Sequence, residues 1–258
     1  MIAIDKLNVT LSERTILNGI SLNIEKGRFY CIAGPNGSGK TTFLRSLLNA
    51  LPINKGKIQI ENHDITSYSQ RKLARIEAVV PQNTYPECEF SAFDVVMMGR
   101  APYLSPLQNE SSRDLRIVKE SMEITNTWHL KDQPVRVLSG GEKQRVIIAR
   151  ALAQQTGILL LDEPVSNLDI HHQIEILNLL KKLNEEKGIT VIAVLHDLNH
   201  VFAYSHEVIL FNHGELVASG SPEKVLTHEN IKKVFAVDTC FIDNPLNGKK
   251  ILVTVGLN

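Results

Sequence analysis

A glycine-rich run at residues 34–41 is the first part of the sequence whose residue types suggest chemistry. Gly34-Pro35-Asn36-Gly37-Ser38-Gly39-Lys40-Thr41 fits the pattern G-x-x-x-x-G-K-[ST] and lies between a strand-like and a helix-like segment. Its glycines let backbone N–H groups approach phosphates, and the following helix adds the positive end of its dipole. Lys40 would reach the β- and γ-phosphates, and the Thr41 hydroxyl would ligate Mg²⁺. The run predicts a nucleoside triphosphate site; a glycine-rich turn without a ligand is the alternative.

Two adjacent carboxylates follow the apolar run Ile158 to Leu161. Asp162 and Glu163 come directly after these aliphatic residues, so they should emerge where a buried strand ends. Ligands gather at the carboxyl ends of such strands, and neighbouring side chains in a strand point to opposite sides. We therefore expect Asp162 to hold Mg²⁺ through water and Glu163 to face the attacking water as general base or orienting group. The alternative is simple termination of the strand before Pro164.

A histidine stands at the end of another apolar run, Thr190 to Leu195. His196-Asp197-Leu198-Asn199-His200 has the spacing of the zinc motif H-E-x-x-H, with Asp in place of Glu. That motif needs both histidines on one face of one helix, whereas His196 should lie at a strand end, so we expect no metal site. A hydrogen-bonded core histidine is a second alternative. The favoured interpretation is that His196 donates to the γ-phosphate.

A second helix start could bind phosphate. Leu138-Ser139-Gly140-Gly141-Glu142-Lys143-Gln144 precedes a helix predicted from about Glu142 to Ala153, and helix N-termini offer unpaired backbone donors. A phosphate already wrapped by one loop cannot easily reach a second one in the same subunit. Two copies facing each other could each supply half of two sites. A well-capped helix start without a ligand is the alternative.

In this order, the glycine-rich loop, the signature run at residues 138–144 and the Walker B segment Ile158 to Glu163 resemble the nucleotide-binding subunits of ABC transporters. The resemblance covers nearly the whole chain. It implies an ATPase that uses ATP and Mg²⁺, with Gln82 touching the metal or the attacking water and reporting to a membrane partner. It also implies that the segment 166–169 crosses the interface of a head-to-tail dimer.

The resemblance assigns site residues by position. The implied catalytic residues are Glu163, His196 and Gln82, and the implied metal-contacting residues are Thr41, Gln82 and Asp162. The implied ATP-binding residues are Gly34, Pro35, Asn36, Gly37, Ser38, Gly39, Lys40, Thr41, Thr42, Ser139, Gly140, Gly141 and Asp169.

One position departs from the family: Leu11 stands where members usually carry an aromatic residue that stacks on adenine. We therefore expect weaker and less selective recognition of the base.

Strand-like and helix-like segments alternate through most of the chain, which predicts an α/β core with a mainly parallel sheet. Region 90–136 differs: Ser91 and Asp94 form a candidate capping box, and Ser112 to Ile124 has helical spacing, so we expect an inserted helical subdomain. Beyond Gly214 we expect two short strands and a small helical tail. The resemblance implies one domain over residues 1–258, with the P-loop NTPase fold: a RecA-like core, an antiparallel β subdomain and the helical insertion.

Composition excludes several classes of protein. The formal net charge is zero, so no positive field favours nucleic acid. Hydrophobic residues make up 43% and charged residues 22%, and uncharged runs fall well short of the roughly 20 apolar residues that span a bilayer. The N-terminus has no signal-peptide pattern, so we expect a cytoplasmic protein. The three cysteines, Cys31, Cys88 and Cys240, lack metal-like spacing, and we interpret them as packing residues.

A finer resemblance concerns cargo. Gly99-Arg100-Ala101-Pro102, the segment 169–173 and the tail 221–255 are similar to ATPase subunits of iron–siderophore, heme and cobalamin importers. That class pairs two ATPase subunits with two membrane permease subunits and an external binding protein, and it works at the cytoplasmic face of the membrane. We expect the permease to dock on Gln82, the helix Phe90 to Met98 and Arg100. The alternative is that Phe90, Phe93, Val95 and Met98 are core residues.

Two other functions remain open at this stage. A soluble ABC ATPase acting on DNA, ribosomes or cluster assembly would need no permease. The single phosphate loop and the lack of a coiled-coil insertion before the signature argue against the commonest proteins of that kind. A non-hydrolysing binding module is disfavoured because Glu163 and His196 are both present.

Overall fold

The computed structural model describes residues 2–82, 89–105, 110–245 and 250–257. Residues 1–67 and 190–258 form one compact unit, and residues 68–189 form a second. The N-terminal segment contains β1 (Ile2–Leu11), β2 (Arg14–Ile24), β3 (Phe29–Ala33), α1 (Lys40–Leu47), β4 (Lys55–Ile60) and β5 (His63–Asp64). The second unit contains α2 (Gln70–Leu73), β6 (Glu77–Val80), α3 (Ala92–Met97), α4 (Ser112–Ile124), α5 (Gly140–Ala153), β7 (Ile158–Asp162) and α6 (Ile170–Lys187). The C-terminal segment contains β8 (Thr190–Val194), α7 (Leu198–Tyr204), β9 (Glu207–Asn212), β10 (Glu215–Gly220), α8 (Pro222–Val225), α9 (His228–Phe235), β11 (Val237–Asp243) and β12 (Lys250–Leu257).

The first unit is built on two sheets and a C-terminal hairpin. Strands β2, β1, β4 and β5 pair antiparallel in that order. Strands β9, β3 and β8 run parallel, and β10 adds to β9 antiparallel. Every residue of β3 and β8 is buried, which is typical of parallel strands covered on both faces. The mainly parallel sheet of the prediction is therefore present in this unit.

Helix α1 is held on this sheet by aromatic packing. Phe43 of α1 and Phe211 of β9 are both fully buried, with ring centroids 5.1 Å apart and the rings tilted by 48°. Leu44 and Leu47 complete the buried face of the helix. Truncating a buried phenylalanine to alanine typically costs about 3–5 kcal/mol. The glycine-rich loop before α1 is thus anchored by a well-packed helix.

In the described part of the second unit, β6 and β7 pair in parallel and the other regular elements are helices. The predicted capping box is present: Ser91 and Asp94 bond reciprocally at the start of α3. Helix α4 has the predicted bounds, and within the described part of region 90–136 the only pairing of strand type is an isolated bridge between Ser91 and Pro134. Residues 106–109 of that region lie outside the described residues.

The placement of Arg100 on a docking surface is wrong. Arg100 is 3% exposed, and its Nε donates to Asp114 Oδ1 at 2.9 Å. Its Nη1 donates to the carbonyl oxygen of Ala153 at 2.7 Å, and its guanidinium lies 4.0 Å from the Tyr103 ring centroid. Sequence alone suggested a surface position because arginine is rarely buried unless it is paired. Phe90 and Met98, in contrast, are 42% and 41% exposed.

The C-terminal tail is larger than predicted. Three strands rather than two follow Gly214 among the described residues, with α8 and α9 between them, and residues 246–249 lie outside that set. Strand β11 lacks a clear alternation of buried and exposed residues, so its pattern gives little strand signal. Among the cysteines, Cys31 is buried as predicted and Cys240 is exposed, whereas Cys88 lies outside the described residues.

No helix in the described ranges combines the length and the apolar character needed to cross a bilayer.

Candidate nucleotide-binding and hydrolysis site

The glycine-rich loop needs glycine for steric reasons at two positions. Gly34 has φ 151°, and a Cβ there would lie 2.4 Å from the carbonyl oxygen of Phe211. Gly39 has φ 101°, and a Cβ there would lie 2.8 Å from Leu17 Cδ2. Side chains at either position would push the loop off the sheet, because such contacts are far below van der Waals distance. These two glycines therefore fix the loop directly against the body of the unit.

Lys40 lies inside the loop that precedes it. Its Nζ donates to the carbonyl oxygens of Gly34 and Pro35 at 2.9 Å each, and the residue is 6% exposed. The N-cap of α1 is Gly39, which supplies no side-chain acceptor for the N–H groups of the first turn. Backbone donors and an ammonium group thus converge at the end of a helix, an arrangement that binds anions. Thr41 adds a hydroxyl oxygen in that turn, a hard ligand of the kind Mg²⁺ prefers.

The turn between β9 and β10 supports this loop, and the sequence analysis did not single it out. Gly214 N donates to Ser38 O at 3.0 Å, and Gly214 O accepts from Asn18 N at 2.9 Å. A Cβ at Gly214 would lie 2.2 Å from the carbonyl oxygen of Ile16. The glycine that follows Asn212 and His213 is the sequence signal that could have marked a tight turn, and His213 and Gly214 both have positive φ in the structure.

His196 lies two residues beyond the end of β8, after Leu195, close to the strand end that the sequence predicted. Asp197 is the N-cap of α7. Of the two histidines in the zinc-like pattern, only His200 lies within that helix. The two histidines therefore do not share a helix face, which the zinc motif requires. This geometry leaves His196 at the carboxyl end of a buried parallel strand, where ligands bind in folds of this class.

The carboxylate pair is arranged differently from the prediction. Asp162 is the last residue of β7 and is 7% exposed, whereas Glu163 lies beyond the strand with φ 52°. Alternation within a strand therefore does not apply, because the chain turns at Glu163. The turn brings the Glu163 carboxylate to Gln82, whose Nε2 donates to Glu163 Oε2. A left-handed backbone at a residue other than glycine is uncommon and often marks a functional site.

The signature run forms the predicted helix start. Ser139 is the N-cap of α5; its Oγ accepts from Glu142 N at 3.4 Å and its N donates to Glu142 Oε2 at 2.8 Å. The hydrogen bond from the Ser139 side chain is the largest cause that lowers the pKa of Glu142. The capped-helix alternative therefore describes the local geometry correctly. Capping still leaves the first N–H groups of the helix, at Gly140 and Gly141, without an acceptor in the helix.

Asp169 caps α6 in the same manner. Its Oδ1 accepts from the backbone N of His172 at 2.9 Å, and its Oδ2 lies 2.8 Å from His172 Nδ1. These bonds, the backbone one first, lower the pKa of Asp169. Within the second unit the structure thus brings Gln82 to Glu163, and it joins Asp169 to His172 in the first turn of α6. Leu11 ends β1, so the position of the missing aromatic is an aliphatic strand terminus.

Comparison with known proteins gives consistent matches. Residues 17–166 match the family model described as ABC transporter. The chain is 36% identical to the ferric enterobactin transport ATP-binding protein FepC of Escherichia coli (strain K12), over 98% of this chain and 93% of that protein. It is 37% identical to the hemin import ATP-binding protein HmuV of Hahella chejuensis (strain KCTC 2396), over 96% and 97%. A solved dimeric structure of a bacterial ABC transporter cassette is 30% identical with a TM-score of 0.74, over 86% of this chain and 99% of that one.

Proposed function

Because the chain belongs to the ABC transporter ATP-binding family, we propose that it powers import of an iron–siderophore or hemin complex through a separate permease. Members of this family are ATPases coupled to transport, and the P-loop α/β fold is the family's fold. Two similar proteins are named for ferric enterobactin and hemin, which supports a metal chelate as cargo. Cobalamin is supported by motif resemblance only, so it ranks below the iron complexes.

The contact between Gln82 and Glu163 carries the hydrolytic part of the proposal. A carboxylate that must accept a proton from water needs a fixed orientation, and a donated amide hydrogen bond supplies it. Glu163 then acts as general base, and Gln82 holds that base while contacting the nucleotide or its metal. Positioned base catalysis of this kind contributes about 10²–10⁴-fold.

The remaining roles follow from the donor chemistry. The backbone N–H groups of residues 34–42 and the Lys40 ammonium bind the triphosphate, and His196 donates to the γ-phosphate. Thr41, Asp162 and Gln82 supply oxygen atoms suited to Mg²⁺. When bound, the metal would neutralise charge on the β- and γ-phosphates. Asp162 is almost fully buried at a strand end, which suits a carboxylate whose charge is balanced by a cation.

A second copy of the chain completes the proposed site. Gly140 and Gly141 at the start of α5 would bind the γ-phosphate held by the opposite subunit, with Ser139 and Asp169 nearby at the interface. A relative that forms a dimer supports this arrangement. Permease subunits at the cytoplasmic face of the membrane, served by an external binding protein, are the other proposed partners. Phe90 and Met98 are exposed apolar side chains on the proposed permease surface.

The test is uptake in a strain that lacks this chain, complemented with wild type, Glu163→Gln or Glu186→Gln. Glu186 is an exposed carboxylate on α6 paired with Lys182, so its variant is a matched control. We expect Glu163→Gln to bind ATP, to lose about 10²–10⁴-fold of turnover, and to abolish uptake of labelled ferric siderophore or hemin. Unchanged uptake in the deletion strain would reject the cargo class. Near-normal turnover of Glu163→Gln would reject its role as the base.

A further inference from the structure

His172 lies against the second glycine of the signature run. A Cβ placed on Gly141 would be 2.3 Å from His172 Cδ2, 2.7 Å from Cγ and 3.0 Å from Nε2. These distances are far below any normal carbon contact, so the imidazole edge covers the face of Gly141 with no room for a side chain. A side chain at Gly141 would therefore have to displace the His172 ring.

The other side of the same ring is fixed by Asp169. His172 Nδ1 lies 2.8 Å from Asp169 Oδ2, and because an ionised carboxylate only accepts, Nδ1 donates. Asp169 also accepts the backbone N–H of His172, so ring and carboxylate are held by two bonds. One imidazole thus spans from the carboxylate that begins α6 to the backbone that begins α5.

Two further contacts join the same helix ends. A Cβ on Gly140 would be 3.4 Å from Leu168 Cδ2, an ordinary packing distance. One turn along, Arg145 Nη1 of α5 donates to Glu175 Oε2 of α6 at 2.9 Å. The starts of α5 and α6 therefore behave as one block, with His172 at the end that faces the proposed phosphate.

We propose that His172 is a positioning residue that fixes the signature glycines relative to Asp169, so that both meet the ATP of the opposite subunit in register. This inference rests on the proposed function, because the ATP of the opposite subunit belongs to the proposed dimer. His172 itself makes no contact with ATP and acts through Gly141 and Asp169. Small misplacements of positioning groups are costly in catalysis, because about 1 Å can cost on the order of 100-fold.

A purely structural role predicts a different outcome. The His172 side chain is 30% exposed and its partner Asp169 is 65% exposed, so their bond contributes little to folding. Loss of the imidazole should therefore leave the fold and the phosphate loop intact. If a His172 variant loses turnover but keeps the stability of wild type, the residue acts by positioning and not by supporting the fold.

The first experiment compares His172→Ala, His172→Asn and His63→Ala in the purified full chain. We expect His172→Ala to lower turnover by about 10- to 100-fold, with the Kd of the monomer for ATP and the Tm close to wild type. Asparagine can place a donor near the position of Nδ1, so His172→Asn should recover a clear part of the loss. His63 is an exposed histidine of β5 in the first unit and has no role in the proposed site, so His63→Ala is the matched control.

Three results would overturn the proposal: turnover of His172→Ala within about twofold of wild type, no recovery in His172→Asn, or a parallel loss of ATP binding. If wild type itself fails to hydrolyse ATP, the proposed function fails instead, and the two failures are distinguishable.

A double-mutant cycle tests the contact with Gly141. Gly141→Ala should force the ring away from Asp169 in wild type but find space in a His172→Ala background. We expect the loss caused by Gly141→Ala to be at least about fivefold smaller in that background, the non-additivity of touching residues. Losses that multiply independently would show that the two residues do not act through each other, and the proposal would fall.

Discussion

Glu142 is a residue whose local role and proposed environment conflict. Its carboxylate completes the capping box, accepting from Ser139 Oγ at 2.7 Å and from Ser139 N at 2.8 Å. A negative charge there interacts favourably with the helix dipole, and the hydrogen bonds from Ser139 lower the pKa of Glu142. The same charge opposes the γ-phosphate that the proposed dimer brings to this helix end. If the proposed dimer forms, the charge that stabilises this helix start should therefore weaken binding of the phosphate.

Glu142→Gln separates these two effects, because glutamine also completes a capping box but carries no charge. In a Glu163→Gln background that retains ATP, we expect the dimer to tighten by about two- to fivefold at low salt, and less at high salt. Sedimentation at graded protein concentrations measures the dimer dissociation constant. A weaker dimer, or an effect independent of salt, would contradict the electrostatic explanation.

At the scale of elements, the helices of the second unit are joined by a buried ion pair. Arg100 bonds to Asp114 at the start of α4 and to Ala153 at the end of α5. A Cβ on Gly99 would lie 2.2 Å from the carbonyl oxygen of Arg150, so this segment must approach α5 closely.

The pKa of Asp114 is lowered to about 2, first by the Ser111 hydroxyl and also by Arg100. This stabilisation is present above pH 3.8 and is lost as the pH falls toward about 2.

Arg100→Met should leave Asp114 buried without its cation. We expect the free energy of unfolding at neutral pH to fall by about 3–5 kcal/mol, the usual effect of breaking a buried pair. Arg136→Met is the control, since Arg136 forms an exposed pair with Glu89 at 3.1 Å and exposed pairs contribute at most about 1 kcal/mol. Urea denaturation measures both. Equal losses in the two variants would mean that the buried pair does not join these helices.

At the scale of the whole molecule, a buried acid makes stability depend on pH. Glu77 at the start of β6 is 2% exposed, and neither carboxylate oxygen has a hydrogen-bond partner in the described part of the chain. Burial raises the pKa of Glu77 from 4.5 to about 8. The folded chain therefore holds a proton that the unfolded chain releases between these values. Stability is full below pH 4.5 and declines as the pH rises through about 8.

Glu77→Gln should remove this dependence because glutamine has the same shape and does not titrate. We expect wild type to lose up to a few kcal/mol of unfolding free energy between pH 5.5 and pH 8.5, at about 1.4 kcal/mol per fully coupled pH unit. The variant should lose much less over the same range. Denaturant titrations at both pH values, with Glu186→Gln as the exposed control, measure the difference. An unchanged pH slope in Glu77→Gln would assign the dependence to other groups.

The sequence by itself determined the features that contiguous residues control. The loop motif, the strand ending at Asp162, the capping box at Ser91 and the bounds of α4 all follow from local spacing. Strand β1 was not predicted, because bulges shift its register between Ile4 and Thr10 and break the two-residue period. Local patterns thus specify motifs and regular elements, and they fail where the backbone is irregular.

Only the tertiary structure decided which side chains meet. Arg100 is buried because Asp114 and Ala153, from two other elements, provide its hydrogen bonds. The hydrogen bond from Gln82 to Glu163 and the approach of His172 to Gly141 likewise join segments far apart in the chain. No short pattern encodes such contacts, since burial of a polar group is settled by the partners that packing brings to it. The sequence determined which chemical groups the site contains, and the packing of distant elements decided how they are held.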